Sequence, residues 1–214
     1  MPTRTAIPRS AITAVERQVF ELCQELAPRL QFHGWHHVSF VRDKSVHFAS
    51  RNGASSDVVE VAALVHDLNY MVRRNSLPVE GSELRASVLS SAGVAEVAWI
   101  EDIVLEAEMR TRHRDISLEA QALSDADTLF KALPVTPVVL AHKYLQENGI
   151  TLRELAQKIV GEQVGKHDSG FYFYDAEAAA TYSKWASANL KLWQCIVESL
   201  DDPCVEDLLT AVAS

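Results

Sequence analysis

Little in this 214-residue chain would tie it to a disulfide framework, a nucleic-acid polymer or a membrane. Its three cysteines, Cys23, Cys195 and Cys204, are far apart and form no CxxC pair, which argues against both a disulfide framework and a thiolate zinc site. Reduced core or surface thiols are expected instead. Basic residues are outnumbered, 20 Lys and Arg against 29 Asp and Glu, for a net charge of -9. Gripping a nucleic-acid polymer needs a basic face that releases counterions, so no such partner is expected; a small anionic ligand needs only a local basic patch. No run approaches the roughly 18 apolar residues of a membrane span. The opening MPTRTAIPRS lacks an apolar signal core, so a cytoplasmic location is expected. Sustained alternation of period two is also scarce, and no repeat or low-complexity stretch occurs.

What is present is an ordinary globular composition, 48% apolar and 23% charged, with a period of 3.6 from end to end. The expectation is an all-α helical bundle, a single domain over 1–214, because the candidate linkers are short. Helices are expected at about 10–26, 35–50, 58–70, 82–91, 94–110 and 117–133, then one ending at Asn148-Gly149, one to about 164, a long one at 176–200 and a short one after Pro203. Asp57 with Glu60, and Thr151 with Glu154, have capping-box spacing.

The stretch VVEVAALVHDLNY is apolar on nearly every side, the mark of a helix buried all round. His66 and Asp67 interrupt it. A buried carboxylate is costly unless paired, hydrogen-bonded or coordinated, and residues about 100° apart on a helix can reach one ion from the same side. The bland alternative is a neutral histidine beside an aspartate that caps a backbone donor. In the preceding helix Val38, Val41, Ser45 and Phe48 mark a buried stripe; His37 lies at its edge, whereas His36 and His47 fall nearly opposite. His33, set apart by Gly34, supports a neighbour or is simply exposed. A further hard donor is sought downstream, and LSDADTLF supplies two aspartates. Asp125 beside Ser124 reads as turn or cap chemistry, so Asp127 is preferred.

The pattern His37, His66-Asp67, Asp127 resembles the HD superfamily of metal-dependent phosphohydrolases, H...HD...D on a helical bundle. Within it, FHGWHHV, AALVHDLNY and SDADTLF are similar to the YHNxxHV, AAxxHDxxY and xDADxL motifs of a bacterial subgroup. The resemblance covers about 30–132, implying an HD-type core there and a helical extension over 133–214 in which no motif is found. It implies one divalent ion, manganese, magnesium, iron, cobalt, nickel or zinc, held by His37, His66, Asp67 and Asp127. Such a mixed nitrogen and oxygen set leaves positions open, and the ion can polarise a phosphoryl oxygen and lower the pKa of a water toward about 7. Asp67 or Asp127 is then placed to accept a proton.

Other candidate roles come partly from the resemblance and partly from the residues and their positions. Related phosphohydrolases place an acidic residue soon after the dyad, where this chain has Asn69 and Tyr70. Glu83 in GSELRAS resembles the Glu of an NExxSA motif and would orient the attacking water; a first-turn Glu favoured by the helix dipole is the alternative. His113 in TRHRD is a candidate proton donor or substrate contact, or lies in an exposed turn. Arg73, Arg74 and Lys131 are candidate phosphate contacts. Tyr172 and Tyr174 would stack a nucleobase or join the core. Trp185, Leu192, Ile196 and Leu200 form a stripe that is core or the face of a homodimer. The expected function is hydrolysis of a small phosphate ester, with a nucleotide preferred. The rivals are a regulatory module that binds metal and nucleotide without catalysis, and a di-iron oxygenase of the same superfamily.

Overall fold

The computed structural model describes residues 6–108 and 115–213, and every regular element among them is helical. In chain order these are α1 (Arg9–Glu25), α2 (Trp35–Asn52), α3 (Ser56–Val65), α4 (Leu68–Val72), a 3-10 turn (Pro78–Gly81), α5 (Ser82–Ser91), α6 (Val97–Glu106) and α7 (Leu118–Ala132). They continue as α8 (Thr136–Val139), α9 (Ala141–Asn148), α10 (Leu152–Ser169), α11 (Ala176–Ser199) and α12 (Pro203–Ala213). The chain is a single all-α domain. No helix among the described residues is long and apolar enough to cross a membrane.

The apolar helix is the axis of the fold. Seven of the ten residues of α3, Val58, Val59 and Val61 through Val65, are buried, because α1, α2, α6 and α7 all pack around it. Its expected course over 58–70 is corrected, for the helix stops at Val65. His66 turns its Nδ1–H back to the carbonyl oxygen of Ala63 at 2.7 Å, and Asp67 leaves helical geometry at φ -102°, ψ 15° before α4 begins. The break falls where the apolar run meets two polar side chains aimed at one place.

One capping box forms and the other does not. Thr151 N–H donates to Glu154 at 2.7 Å and Glu154 N–H donates to Thr151 Oγ1 at 3.2 Å, as the spacing predicts. Asp57 instead accepts the backbone N–H of Ile7 at 2.6 Å, and Glu60 pairs with Arg9 at 2.6 Å, so both carboxylates fasten the amino-terminal segment across α3.

The carboxy-terminal helices share the main core. Tyr172, Phe173, Ala178 and Ala186 belong to the same apolar cluster as α1 to α7. Tyr172 is therefore core, and neither it nor Tyr174 lines the cavity described below, which corrects the stacking alternative. On α11 the buried side chains are Ala178, Ala186, Asn189, Leu190 and Trp193, whereas Leu192 is exposed, so the buried face is offset from the expected stripe. Asn189 caps α7 by donating to the carbonyl oxygens of Lys131, Ala132 and Leu133.

Asp125 ties the two parts together. Buried on α7, it accepts the backbone N–H groups of Tyr174 and Asp175, each at 2.8 Å. Asp175 in turn caps α11 through Ala178 N–H and pairs with Arg51. Removing a buried acceptor of two charge-assisted bonds leaves both donors unsatisfied, so Asp125→Ala is expected to lower unfolding free energy by roughly 3 kcal/mol. Urea denaturation reads this directly, and a loss well below about 1 kcal/mol would contradict the anchor.

Candidate functional site

Gly34 sets the approach to the site. A Cβ there would lie 2.6 Å from the carbonyl oxygen of Leu30, so only glycine lets the chain turn this tightly into α2. The turn leaves His33 just before the helix and His37 in its first turn, with the His37 ring fully buried edge-on to Phe130 at 4.4 Å between centroids. The kink after α3 and the middle of α7 supply the rest.

Four side chains meet there. His37 Nε2 lies 2.8 Å from Asp67 Oδ2, 3.2 Å from His66 Nε2 and 3.7 Å from Asp127 Oδ1, and Asp67 Oδ2 lies 3.2 Å from His66 Nε2. The second Asp127 oxygen accepts from Lys131 Nζ at 2.6 Å, one helical turn along α7. Because Ala63 fixes the His66 proton on Nδ1, a neutral His66 turns its Nε2 lone pair toward the shared point. His37 Nδ1 is buried without a partner, so its single proton is best used from Nε2 toward Asp67.

The electrostatics agree with a cation receptor. Burial alone would raise the Asp67 carboxyl, but the charge of His66 and hydrogen bonds from both imidazoles hold it well below its usual range. Burial also works against Asp127, yet Lys131 and His37 keep it low. His66 is raised, burial being outweighed by Asp67 and Asp127, whereas burial wins at His37 and lowers it. Two anionic carboxylates and the Nε2 atoms of two imidazoles thus crowd one point. The ligand atoms of His37, His66 and Asp127 all lie within 4.8 Å of one another, close enough to close on a single ion at about 2.0–2.2 Å from each donor. Asp67 stands beside them, so the donor set fits a divalent metal.

The cluster borders a cavity of about 160 Å³, into which His66, Asp67, Asp127 and Lys131 open, with His37 buried behind them. Phe32, His33, Tyr70 and Tyr144 line it as well, and residues of α10 and α11 such as Lys158 and Trp193 complete its wall. Several expected residues stand elsewhere. α4 ends at Val72 and the chain leaves in extended geometry at Arg73, carrying Arg73 and Arg74 to the exposed surface outside the cavity lining. There Arg73 is paired with Glu80 at 2.7 Å. Glu83 sits exposed in the first turn of α5, also outside the cavity, where the helix-dipole reading accounts for it. His113 lies outside the described residues. Asn69, in the place of the acidic residue expected after the dyad, is buried in the cavity wall with its amide donated to Ser76.

Sequence reasoning missed Glu147, and with it the role of His33. From α9, Glu147 accepts the backbone N–H groups of Phe32 at 2.7 Å and His33 at 3.1 Å and receives the His33 Nδ1–H. His33 is buried, stacked on Tyr70 with centroids 3.7 Å apart, and its Nε2 is the ring nitrogen left to the cavity. No local signal marks Glu147, because its partners lie more than a hundred residues away.

Two outcomes are expected. His66→Ala should retain less divalent ion after dialysis than wild-type protein, read by elemental analysis; equal metal content in both would remove the proposed ligand. Glu147 titrates below the ordinary 4.5, burial being outweighed by His33 and the two backbone donors. A folded value below the unfolded one stabilises the native state above that pH and is lost as pH falls through the folded value. Glu147→Gln should therefore cost roughly 2 kcal/mol near neutrality, and its gap to wild type in urea melts should narrow as pH falls below 4.5. A gap independent of pH would assign the bond to something other than an ionised carboxylate.

No family model matches the chain. The Bacillus subtilis protein YpgQ, which is uncharacterised, is 31% identical over 102 residues, 45% of this chain and 50% of YpgQ, so the matched stretch spans half the length of that relative. A crystal structure from Lactobacillus plantarum superposes with a TM-score of 0.64 at 19% identity, covering 90% of this chain and 99% of the other. The crystal structure of YpgQ in complex with ADP superposes with a TM-score of 0.54 at 19% identity over 88% and 96% of the two chains. These likenesses establish a shared helical fold.

Proposed function

We propose that the chain is a metal-dependent hydrolase of small phosphate esters, with nucleotides as the preferred substrates. One observation carries the reading: His37, His66, Asp67 and Asp127 converge on a single buried point that opens into a cavity beside a lysine. The ADP held by YpgQ, a protein of like fold, supports a nucleotide as ligand.

His37, His66, Asp67 and Asp127 would hold the ion. Bound there, a divalent metal supplies Lewis-acid polarisation of a phosphoryl oxygen and a water of lowered pKa. The remaining work falls to the chain's own groups. Lys131, anchored on Asp127, offers a compact positive charge at the cavity wall where a phosphoryl oxygen would sit. His33, held by Glu147 and stacked on Tyr70, presents Nε2 for a hydrogen bond to the substrate. Phe32, Tyr144 and Trp193 give the cavity apolar surface that can cover an organic group and exclude water.

A second reading, a regulatory module that binds without turnover, draws on Asn69: it stands where an acidic residue would follow the dyad, and Glu83 is outside the cavity. Release of phosphate from a panel of nucleotides and sugar phosphates, with manganese, magnesium, iron, cobalt, nickel or zinc added in turn, separates the two. Turnover is expected with at least one ion, and Asp127→Ala should reduce it by at least about 100-fold, beyond the usual cost of losing a supporting group. Metal-loaded protein that binds nucleotide tightly and releases no product with any ion would favour the module.

A further inference from the structure

Lys158 on α10 lies in the part of the chain where the sequence shows no motif, yet it lines the same cavity as the metal-ligating cluster. Its ammonium donates to the Tyr144 hydroxyl at 2.6 Å and stands 5.2 Å from the centre of that ring. No described carboxylate forms an ion pair with it. Glu154, which shares a shallower neighbouring pocket with Lys158, spends its carboxylate on the backbone N–H and hydroxyl of Thr151. Glu162, one turn further along α10 and also at the cavity, forms no ion pair with Lys158 as the side chains stand.

An ammonium carries three N–H donors, and a neutral phenol satisfies one of them. A cation partly withdrawn from water and paired with no carboxylate is set to receive an anion. Its position relative to the cluster is held by a run of packed rings. Tyr144 meets His33 at 5.9 Å between centroids and Phe32 at 5.0 Å, and His33 meets His37 at 5.7 Å. Lys131, by contrast, stands beside the cluster itself, anchored on Asp127. The cavity therefore has one basic group next to the metal ligands and another beyond two intervening rings.

We infer that Lys158, presented by Tyr144, is the second anchor of the substrate: it binds an anionic group other than the phosphoryl at the metal ligands and so selects a nucleoside diphosphate over a monophosphate. The inference rests on the phosphate-ester reading of the site. It places a determinant of specificity in α10, outside every motif that carries the metal chemistry.

The test is calorimetric binding of ADP and of AMP to metal-loaded wild-type protein and to Lys158→Met, Lys158→Arg and Tyr144→Phe, with metal content and turnover measured in parallel. Lys158→Met should weaken ADP by at least about tenfold, the scale of one charge-assisted hydrogen bond, and leave AMP nearly unchanged. Lys158→Arg should recover most of the loss, and metal content should stay equal throughout. If Lys158→Met loses its helical circular dichroism, Tyr144→Phe decides, by a smaller fall in the same preference for ADP. A selective loss of ADP binding in a protein that turns over no phosphate ester upholds the anchor and sinks the hydrolase. Unchanged ADP binding, equal losses for ADP and AMP, or a wild-type protein that binds neither overturns the anchor, whatever the turnover.

Discussion

Two imidazoles and two carboxylates share one buried point, and negative charge gathered there is costly unless protons or a cation balance it. Much of the architecture serves that constraint. α3 is surrounded on all sides, which fixes its end to within the packing tolerance of the core, and the chain kinks at His66-Asp67 so that adjacent residues aim together rather than diverge. α2 and α7 pack against each other and against α3, bringing His37 and Asp127 to the dyad. Lys131 supplies part of the balancing charge through Asp127, and the Ala63 carbonyl decides which nitrogen of His66 faces inward.

Around this point the carboxy-terminal helices act as the other half of the site. Glu147 grips the turn before α2 through two backbone donors and the His33 ring, so α9 holds the entrance to the helix that carries His37. Asp125 grips the loop before α11 in the same way, and Asn189 returns the favour by capping α7. Each link is a buried polar group with partners far away in the chain, the kind of contact that fixes register between elements because an unsatisfied alternative is costly. The clustered histidines and aspartates come from the first part of the chain, and much of the cavity wall from the last.

The paired aspartates of α7 illustrate how far pattern reasoning reaches. Two positions apart on a helix means about 200° of rotation, so Asp125 and Asp127 must face different ways. The assignment of Asp125 to capping chemistry and Asp127 to the cluster agrees with where their oxygens lie, although the backbone Asp125 caps is some fifty residues distant rather than local. Helical periodicity likewise placed His37 inward and His36 outward. It failed where a local cue had a competitor: Asp57 and Glu60 have the spacing of a capping box, but Ile7 and Arg9 offer them partners from another element. Arg73 and Arg74 follow the dyad helix closely in sequence, and a single extended residue after Val72 turns them away.

The all-helical character, the buried axis at α3 and the set of histidines and aspartates able to share an ion were determined by the sequence itself, because periodicity and the cost of burying charge act over a few turns of chain. Only the tertiary structure decided that His33 belongs to Glu147, that Tyr144 presents Lys158 and that α9 to α11 wall the cavity. Those contacts join residues separated by much of the chain, where no spacing rule operates and three-dimensional packing alone selects the partner.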